Sequence, residues 1–463
     1  MVPGLVPKEK SLFYITRMNK FNSIFIANMA EIARPLAHLM ETEERKYEIY
    51  EDHALCDRFI FSQNDDRVLI TPLSLDRQYF QDAVKIMRFK NVINLSPQNI
   101  GESICESIIQ DKKLLRQLIG IIANNPGIII HSDGATNEFL KFIGFLKSKR
   151  LNFRTPELPV AGHEWLVSFF DSKSGFRQAT ATLGTNFPPM PEGFIVESRG
   201  ELIGLCRYLL KKAGGFVMKS NRGWSGAGLK IITKKELLNI KLEKFVRNLI
   251  LSEEYWQKDL IVVEEFIRAD TKVCGGSPSV EFFVDDGGPK ALYVCGMRVN
   301  DAGMFKGVEI GKASVPKHIE RELFRSGLVY AKLLYKMGYR GYFDIDWVND
   351  KKGKLYPLES NIRRTGGTHV YDLSNRLFGR QWAKNHYIVA NNLAGAPNLK
   401  GMTYSECKNV LESLLYPIKG KKEGVILTVT KLLNRGNIGY VVVGPDKKTV
   451  SEIEERLIGK IER

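Results

Sequence analysis

The chain lacks any apolar run approaching the ~18 residues that a membrane-spanning helix requires. Its early apolar stretch, FNSIFIANMA at 21–30, follows a polar segment of mixed charge. It reads as a first core strand, not as a secretory signal. The six cysteines (Cys56, Cys105, Cys206, Cys274, Cys295 and Cys407) are scattered without C-x-x-C spacing. That argues against a disulfide framework or a thiolate metal cluster, and for buried thiols in a reducing cytoplasm. No G-x-x-x-x-G-K-[ST] loop is present, and no G-x-G-x-x-G follows the N-terminal strands, so neither a P-loop nor a dinucleotide fingerprint is claimed. Long repeats, low-complexity tracts and recognisable nucleic-acid modules are also missing. The formal charge of +16 is therefore read as a solvated basic surface that attracts anionic small molecules and nucleotides. Nucleic acid is not the expected partner.

With 463 residues, 44% of them hydrophobic, the chain is long enough for three or four subdomains with substantial cores. Strand patterns at 21–30, 67–73, 91–95 and 127–132 alternate with helical patterns at 76–90, 103–124 and 134–149. This alternation predicts a Rossmann-like parallel layer. Prolines punctuate 150–200, where Lys173 and Arg177 sit at the start of a helical pattern, a place suited to anions. The last segment, from about 401, reads as a small α/β module with strands at 424–430 and 439–445, and 381–395 reads as a helix.

Four stretches carry chemistry. In FVMKSNRGWSGAGLKI, a strand ending near Lys219 meets a loop with Gly223, Ser225, Gly226 and Gly228 before a second strand. Glycines there let backbone N–H groups approach phosphates, and the lysine supplies a point charge. IVVEEFI is an apolar strand ending at Glu264 and Glu265, followed by Phe266 and Ile267. PSVEFFVDD and ALYVCGMRV form a hairpin about Gly287-Gly288 that carries Glu281. In GYFDIDWVNDKKGKLYPLESNIRRTGGTH, Asp344 and Asp346 share one strand face, and Glu359, Asn361 and Arg363 share another. Carboxylates and an amide beside arginines suit a divalent cation holding phosphate. A symmetric hairpin would set Asp344, not Asp346, roughly opposite Glu359.

Taken in order, these stretches resemble the ATP-grasp superfamily of carboxylate–amine ligases. The whole chain, with SKSGFRQ upstream and GYVVVGPD in the tail, looks more narrowly similar to the pheganomycin-type peptide ligases. The resemblance implies an α/β fold (α+β in the ATP-grasp lobes). Its expected parts are a Rossmann-like domain at 1–160, a two-lobed ATP-grasp domain at 161–400 and a small C-terminal α/β domain at 401–463. The glycine-loop lobe would span about 200–270 and the catalytic lobe about 271–400.

It also implies roles. Lys219 would touch the nucleotide phosphates, and Gly223 to Gly228 would cover them. Glu264, Glu265, Phe266 and Ile267 would hold adenine, and Glu281 the ribose hydroxyls. Asp346, Glu359 and Asn361 would bind Mg2+, with Asp344 left as a neighbour. Arg363 would steady the transferring phosphoryl group, and either Lys173 or Arg177 would be an earlier phosphate contact. Arg364, Thr365, Gly366, Gly367 and His369 would cradle the substrate, among variable loops at 270–280, 300–316 and 364–372. The implied reaction joins a small-molecule carboxylate to an amine, both amino acids or short peptides, using ATP and Mg2+ through an acyl phosphate. Alternatives are an enzyme that phosphorylates or carboxylates a small molecule, and a non-catalytic nucleotide-binding regulator. A homo-oligomer is possible; a membrane partner is not expected.

Overall fold

The computed structural model describes residues 20–462 apart from Gln63, Ser225 and Asp301. The predicted loop residue Ser225 thus lies outside the described residues. Three sheets organise the chain. The first holds β1 (Ser23–Ile26), β2 (Arg67–Ile70), β3 (Val92–Leu95), β4 (Ile128–Ser132) and β5 (Phe153–Arg154), all parallel in the order β3-β2-β1-β4-β5. The central strands read SIFI and RVLI and are buried throughout, as parallel strands covered on both faces must be. The helix expected at 103–124 is two helices, Ile104–Gln110 and Lys112–Asn124. Asp111 breaks it, because its carboxylate caps the second helix by accepting from the N–H groups of Lys113 and Leu114.

The second sheet is antiparallel. It contains β6 (Gly193–Val196), β7 (Gly215–Trp224), β8 (Ala227–Thr233) and β9 (Ile261–Glu265) in the order β6-β9-β7-β8. The expected glycine-loop hairpin is β7–β8. The helix anticipated at 235–257 is shorter, Leu242–Ser252 and then Tyr255–Lys258.

The third sheet has eight strands: β10 (Pro278–Asp285), β11 (Gly288–Val299), β12 (Phe305–Gly311), β13 (Gly341–Asn349), β14 (Leu355–Asn361), β15 (Tyr387–Gly395), β16 (Gly424–Val429) and β17 (Asn437–Gly444). Their order is β14-β13-β10-β11-β12-β15-β17-β16. Two expectations change here. The helix predicted over 381–395 is one short helical turn, Trp382–Asn385, followed by β15, which pairs with both β12 and β17. Its apolar residues are arranged for neighbours on two edges, so tertiary pairing overrides the helical reading. Through β15, the tail strands β16 and β17 extend the large sheet instead of closing one of their own. The tail also packs on the first domain. The Tyr79 hydroxyl donates to the Thr428 carbonyl at 2.7 Å, and Asp57 accepts from the N–H groups of Thr430 and Lys431, both at 2.9 Å.

Candidate functional site

The centre of the site is the edge of the large sheet formed by β10, β13 and β14. Asp346 lies opposite Glu359, and Asp344 opposite Asn361. The symmetric alignment fails in two steps: the turn pairs Asn349 with Leu355, and Leu358 is then an extra residue between the pairs Trp347–Pro357 and Asp346–Glu359. On the other side of β13, Ser279 faces Asp346 and Glu281 faces Asp344. Asn361 Nδ2 donates to Asp344 Oδ1 at 2.8 Å and to Asp346 Oδ2 at 3.1 Å. The Asn361 amide oxygen accepts from Arg363 at 2.7 Å. Arg363 also pairs with Asp171, and its guanidinium carbon lies 4.4 Å from the Trp224 ring centroid.

These carboxyls crowd one another. Burial, then the Asp346 charge, pushes Asp344 well above the usual carboxylate range; burial, then Glu359, lifts Asp346 to about 7. Asp346 Oδ1 is buried and has no hydrogen-bond partner. Burial alone would raise Glu359, but Lys173 and then Lys219 hold it below its ordinary value. A cation between Asp346 and Glu359 would satisfy the orphaned oxygen and relieve the repulsion, so the donor set fits a hard divalent ion. Among the described residues no group of three His, Cys, Asp or Glu is placed to hold a metal. Two carboxylates and an amide leave positions for water and phosphate, which is how Mg2+ is commonly held.

The cations divide their tasks. Lys173 Nζ is 2.7 Å from Glu359 Oε2 and donates to the Gly223 carbonyl at 2.8 Å, which ties the glycine loop to the carboxylates. Arg177 turns away. It donates to Glu264 Oε1 at 2.5 Å and to the carbonyls of Pro191 and Gly193. Lys219 is 2.6 Å from Glu264 Oε2. Glu264 thus holds two cations and itself lines the cavity. Glu265, Phe266 and Ile267 line the cavity beside it. In the loop, Gly226 and Gly228 have φ of +97° and +73°, and a Cβ on either would lie 2.8 Å from Met304 Cα or Ser220 Cβ. Only glycine fits at both.

Three further candidate residues stand in packed surroundings. Glu281, expected at a ribose, is 1% exposed and caged by hydroxyls. Tyr293 donates to it at 2.5 Å, Thr365 at 3.0 Å and Thr368 at 2.7 Å. Burial raises it to about 7. It braces the 365–368 turn. Arg364, expected to cradle substrate, lines the cavity but is 3% exposed and forks onto Glu157 at 2.7 and 2.8 Å. His369 is buried, and its ring does not line the cavity. Burial, then Arg58, holds it well below its usual value, so the imidazole stays neutral. Thr365, Gly366 and Gly367 do line the cavity, and Asn392 Nδ2 donates to the Gly366 carbonyl at 3.0 Å.

Several participants were not singled out from the sequence. Asp171 accepts from the Ile362 N–H at 2.8 Å and pairs with Arg363, which fixes that guanidinium. Its only signal was its place in DSKSGFRQ. Glu157 joins Arg364 to His131, 2.7 Å away. The Asp133 carbonyl accepts from the Arg364 N–H at 3.0 Å. The contacts that reach Ile362, Arg363 and Arg364 span 191 residues or more, which no local pattern encodes.

All of these elements surround one cavity of about 630 Å³, walled by the first domain, the glycine hairpin and the large sheet. No family model and no curated protein matches the sequence. Solved structures do match. One is an ADP complex of N5-carboxyaminoimidazole ribonucleotide synthetase, with TM-score 0.53 and 11% identity over 96% of this chain and 99% of that one. A second is the Aspergillus clavatus N5-carboxyaminoimidazole synthase with ADP and 5-aminoimidazole ribonucleotide (TM-score 0.54, 10% identity, 96% and 99% covered). A third is Campylobacter jejuni biotin carboxylase with an ATP ligand (TM-score 0.53, 13% identity, 94% and 90% covered). The chain has the ATP-grasp fold. At these identities the likeness speaks for architecture, and it extends from the Rossmann-like sheet through the tail. No described helix is long and apolar enough to cross a membrane.

Proposed function

We propose that the cavity is an ATP site that activates a carboxyl group as a mixed phosphate anhydride and passes it to nitrogen. The observation that carries this reading is the convergence of Asp346, Glu359, Arg363, Lys173 and Lys219 in one cavity with the glycine hairpin. In the reaction, a carboxylate oxygen attacks the γ-phosphorus and the bond to the bridging oxygen breaks, releasing ADP. A nitrogen lone pair then attacks the activated carbon; phosphate leaves, and the nitrogen loses a proton. The protein aligns these groups and neutralises charge. Mg2+ held by Asp346, Glu359 and the Asn361 oxygen would neutralise the triphosphate. Lys219 and Lys173 meet phosphate oxygens, Arg363 meets the transferring phosphoryl, and Glu265 to Ile267 flank the base.

Two carboxyl sources are compatible with this site. The solved structures favour bicarbonate, since they are named for carboxylation, and one biotin carboxylase among them holds MgADP and bicarbonate. The resemblance to peptide ligases favours an organic acid joined to an amine. The test is to incubate the protein with ATP and Mg2+ in two arms. One arm contains labelled bicarbonate and pooled amines; the other contains pooled amino acids and short peptides. ADP with labelled carbamate in the first arm selects carboxylation, and ADP with a new amide in the second selects ligation. Background ADP in both arms removes the proposal.

A further inference from the structure

Arg58 lies in the turn Cys56–Phe61 of the first domain, far in sequence from every motif above. It is 7% exposed and lines the cavity. Its Nε has no hydrogen-bond partner, and one terminal nitrogen donates only to the Met29 sulfur, at 3.0 Å. Among the described residues, no Asp or Glu oxygen lies within 4.0 Å of its guanidinium, although Asp133 and Asp52 act on it from farther away. Of the other buried arginines, Arg364 has Glu157, and Arg67 donates to the Ile60 carbonyl and lies over the Phe89 ring, away from the cavity; the half-buried Arg363 and Arg177 have Asp171 and Glu264. A guanidinium buried without an anion in contact is destabilising, and this one faces a cavity that an anion can enter.

The wall beside it has the opposite sign. Glu48, Glu51, Asp52 and Leu55 follow the i, i+3, i+4, i+7 spacing on helix Thr42–Leu55, and all four line the cavity. Arg435 acts on Glu48 and Glu51, and Lys306 on Glu51; Asp52 is approached by the Trp224 indole. A second orphan lies near the end of that helix. Asn392 Oδ1 is unpartnered on a residue 5% exposed, and its chain neighbour Leu393 packs in the same cluster as Leu55. Beside the metal-site carboxylates, the cavity therefore offers an unpaired fork donor at Arg58, an unpaired acceptor at Asn392 and a row of carboxylates.

We propose that this end of the cavity binds an α-amino acid, with its carboxylate on Arg58 and its ammonium toward Asp52, Glu51 and the Asn392 oxygen. The fork geometry of arginine suits a planar monoanion. A phosphate dianion fits less well, because Asp133 and Asp52 already stand around Arg58. The proposal rests on the reading of the cavity as a carboxyl-activating ATP site, and it names a substrate class for that site.

The experiment uses the full-length protein with Mg2+ and AMP-PNP, whose binding is measured first by calorimetry. The twenty common amino acids, their methyl esters and N-acetyl forms, and ribose 5-phosphate are then titrated. The expected result is binding of at least one amino acid, with its ester and its N-acetyl form each weaker by roughly tenfold or more. Arg58→Gln brings acid and ester within about twofold of each other, and Asp52→Asn does the same for the free and acetylated amine. If Arg58→Gln does not fold, Arg58→Lys and the wild-type ester comparison decide. Binding of AMP-PNP without any amino acid overturns this proposal and leaves the ATP reading standing. So does Arg58-dependent binding of ribose 5-phosphate alone, or ester discrimination that persists in Arg58→Gln. Failure to bind AMP-PNP removes both.

Discussion

Asp346 stands across the β13–β14 ladder from Glu359, and the extra residue Leu358 puts it there. Without that bulge, Leu358 would occupy the position opposite Asp346, and the two carboxylates would fall out of register. The pairing makes one pocket of negative charge that a cation can hold and that destabilises the protein when empty.

The first prediction follows from this crowding. Asp346 is raised to about 7 in the folded protein, so its contribution to stability is present below the ordinary carboxylate pKa and is lost as pH rises through 7. Without Mg2+, Asp346→Asn should be more stable than wild type at pH 8 by on the order of 2 kcal/mol. The difference should vanish near pH 3.5. Mg2+ should raise the melting temperature of wild type at pH 8 and not that of the variant. Denaturation of both proteins at the two pH values decides.

For turnover, the double variant Glu359→Gln/Asn361→Ala should lose ADP formation by on the order of 100-fold or more while keeping its circular dichroism spectrum. Full activity in that folded variant would show that the cation site lies elsewhere.

Lys219 and Arg177 share Glu264, and they should separate by assay. Lys219→Met should reduce kcat/KM for ATP roughly 10- to 100-fold, because one charge-assisted phosphate contact is lost. Arg177→Met should instead act on stability, costing about 3 kcal/mol, since it leaves Glu264 with one cation fewer and two carbonyls without their donor. Steady-state kinetics and urea unfolding on both variants test the division. A larger kinetic effect from Arg177→Met would reverse it.

Much of this site was legible in the chain. The alternation of Asp344 and Asp346 with Phe343, Ile345 and Trp347 predicts one polar face. The glycines at 226 and 228 mark a hairpin that no other residue can turn. The bulge at Leu358 was not legible, because a strand pattern carries no register until its partner is known. Glu281 reads locally as an acid entering a strand, and only pairing with β13 puts it beside Asp344 with Tyr293 and two threonines around it. β15 was misread because YIVANNLA is apolar at spacings that either a helix or a doubly paired strand can use. Arg58 gave no signal at all, since its meaning lies in the absence of a partner.

Glu281 yields a prediction that separates its two readings. If it braces the 365–368 turn, Glu281→Gln should leave the KM for ATP within about twofold of wild type and raise that for the carboxyl or nitrogen substrate roughly tenfold. A ribose contact would give the reverse pattern. The measurement is a pair of saturation curves on each protein.

Arg364 and Glu157 pin the Rossmann-like sheet to the catalytic one, and this clamp sets the last prediction. Burial would raise Glu157, but Arg364 and then His131 pull it down to about 2. A depressed carboxylate stabilises the fold above its ordinary pKa, near 4.5, and loses that contribution as pH falls toward 2. Glu157→Gln or Arg364→Met alone should cost about 3–5 kcal/mol at pH 7, because each leaves a buried charge unpaired. The double variant should cost less than the sum of the two, with a coupling of about 1–3 kcal/mol. Between pH 5 and pH 3, wild type should lose stability relative to Glu157→Gln, so their unfolding midpoints converge on acidification. Additive single effects at pH 7 would mean that the two side chains do not act as a pair. Because Arg364 follows Arg363 directly, the same variants should also lower turnover by displacing the neighbouring guanidinium. A variant that loses stability and keeps full kcat would confine the clamp to holding the two sheets together.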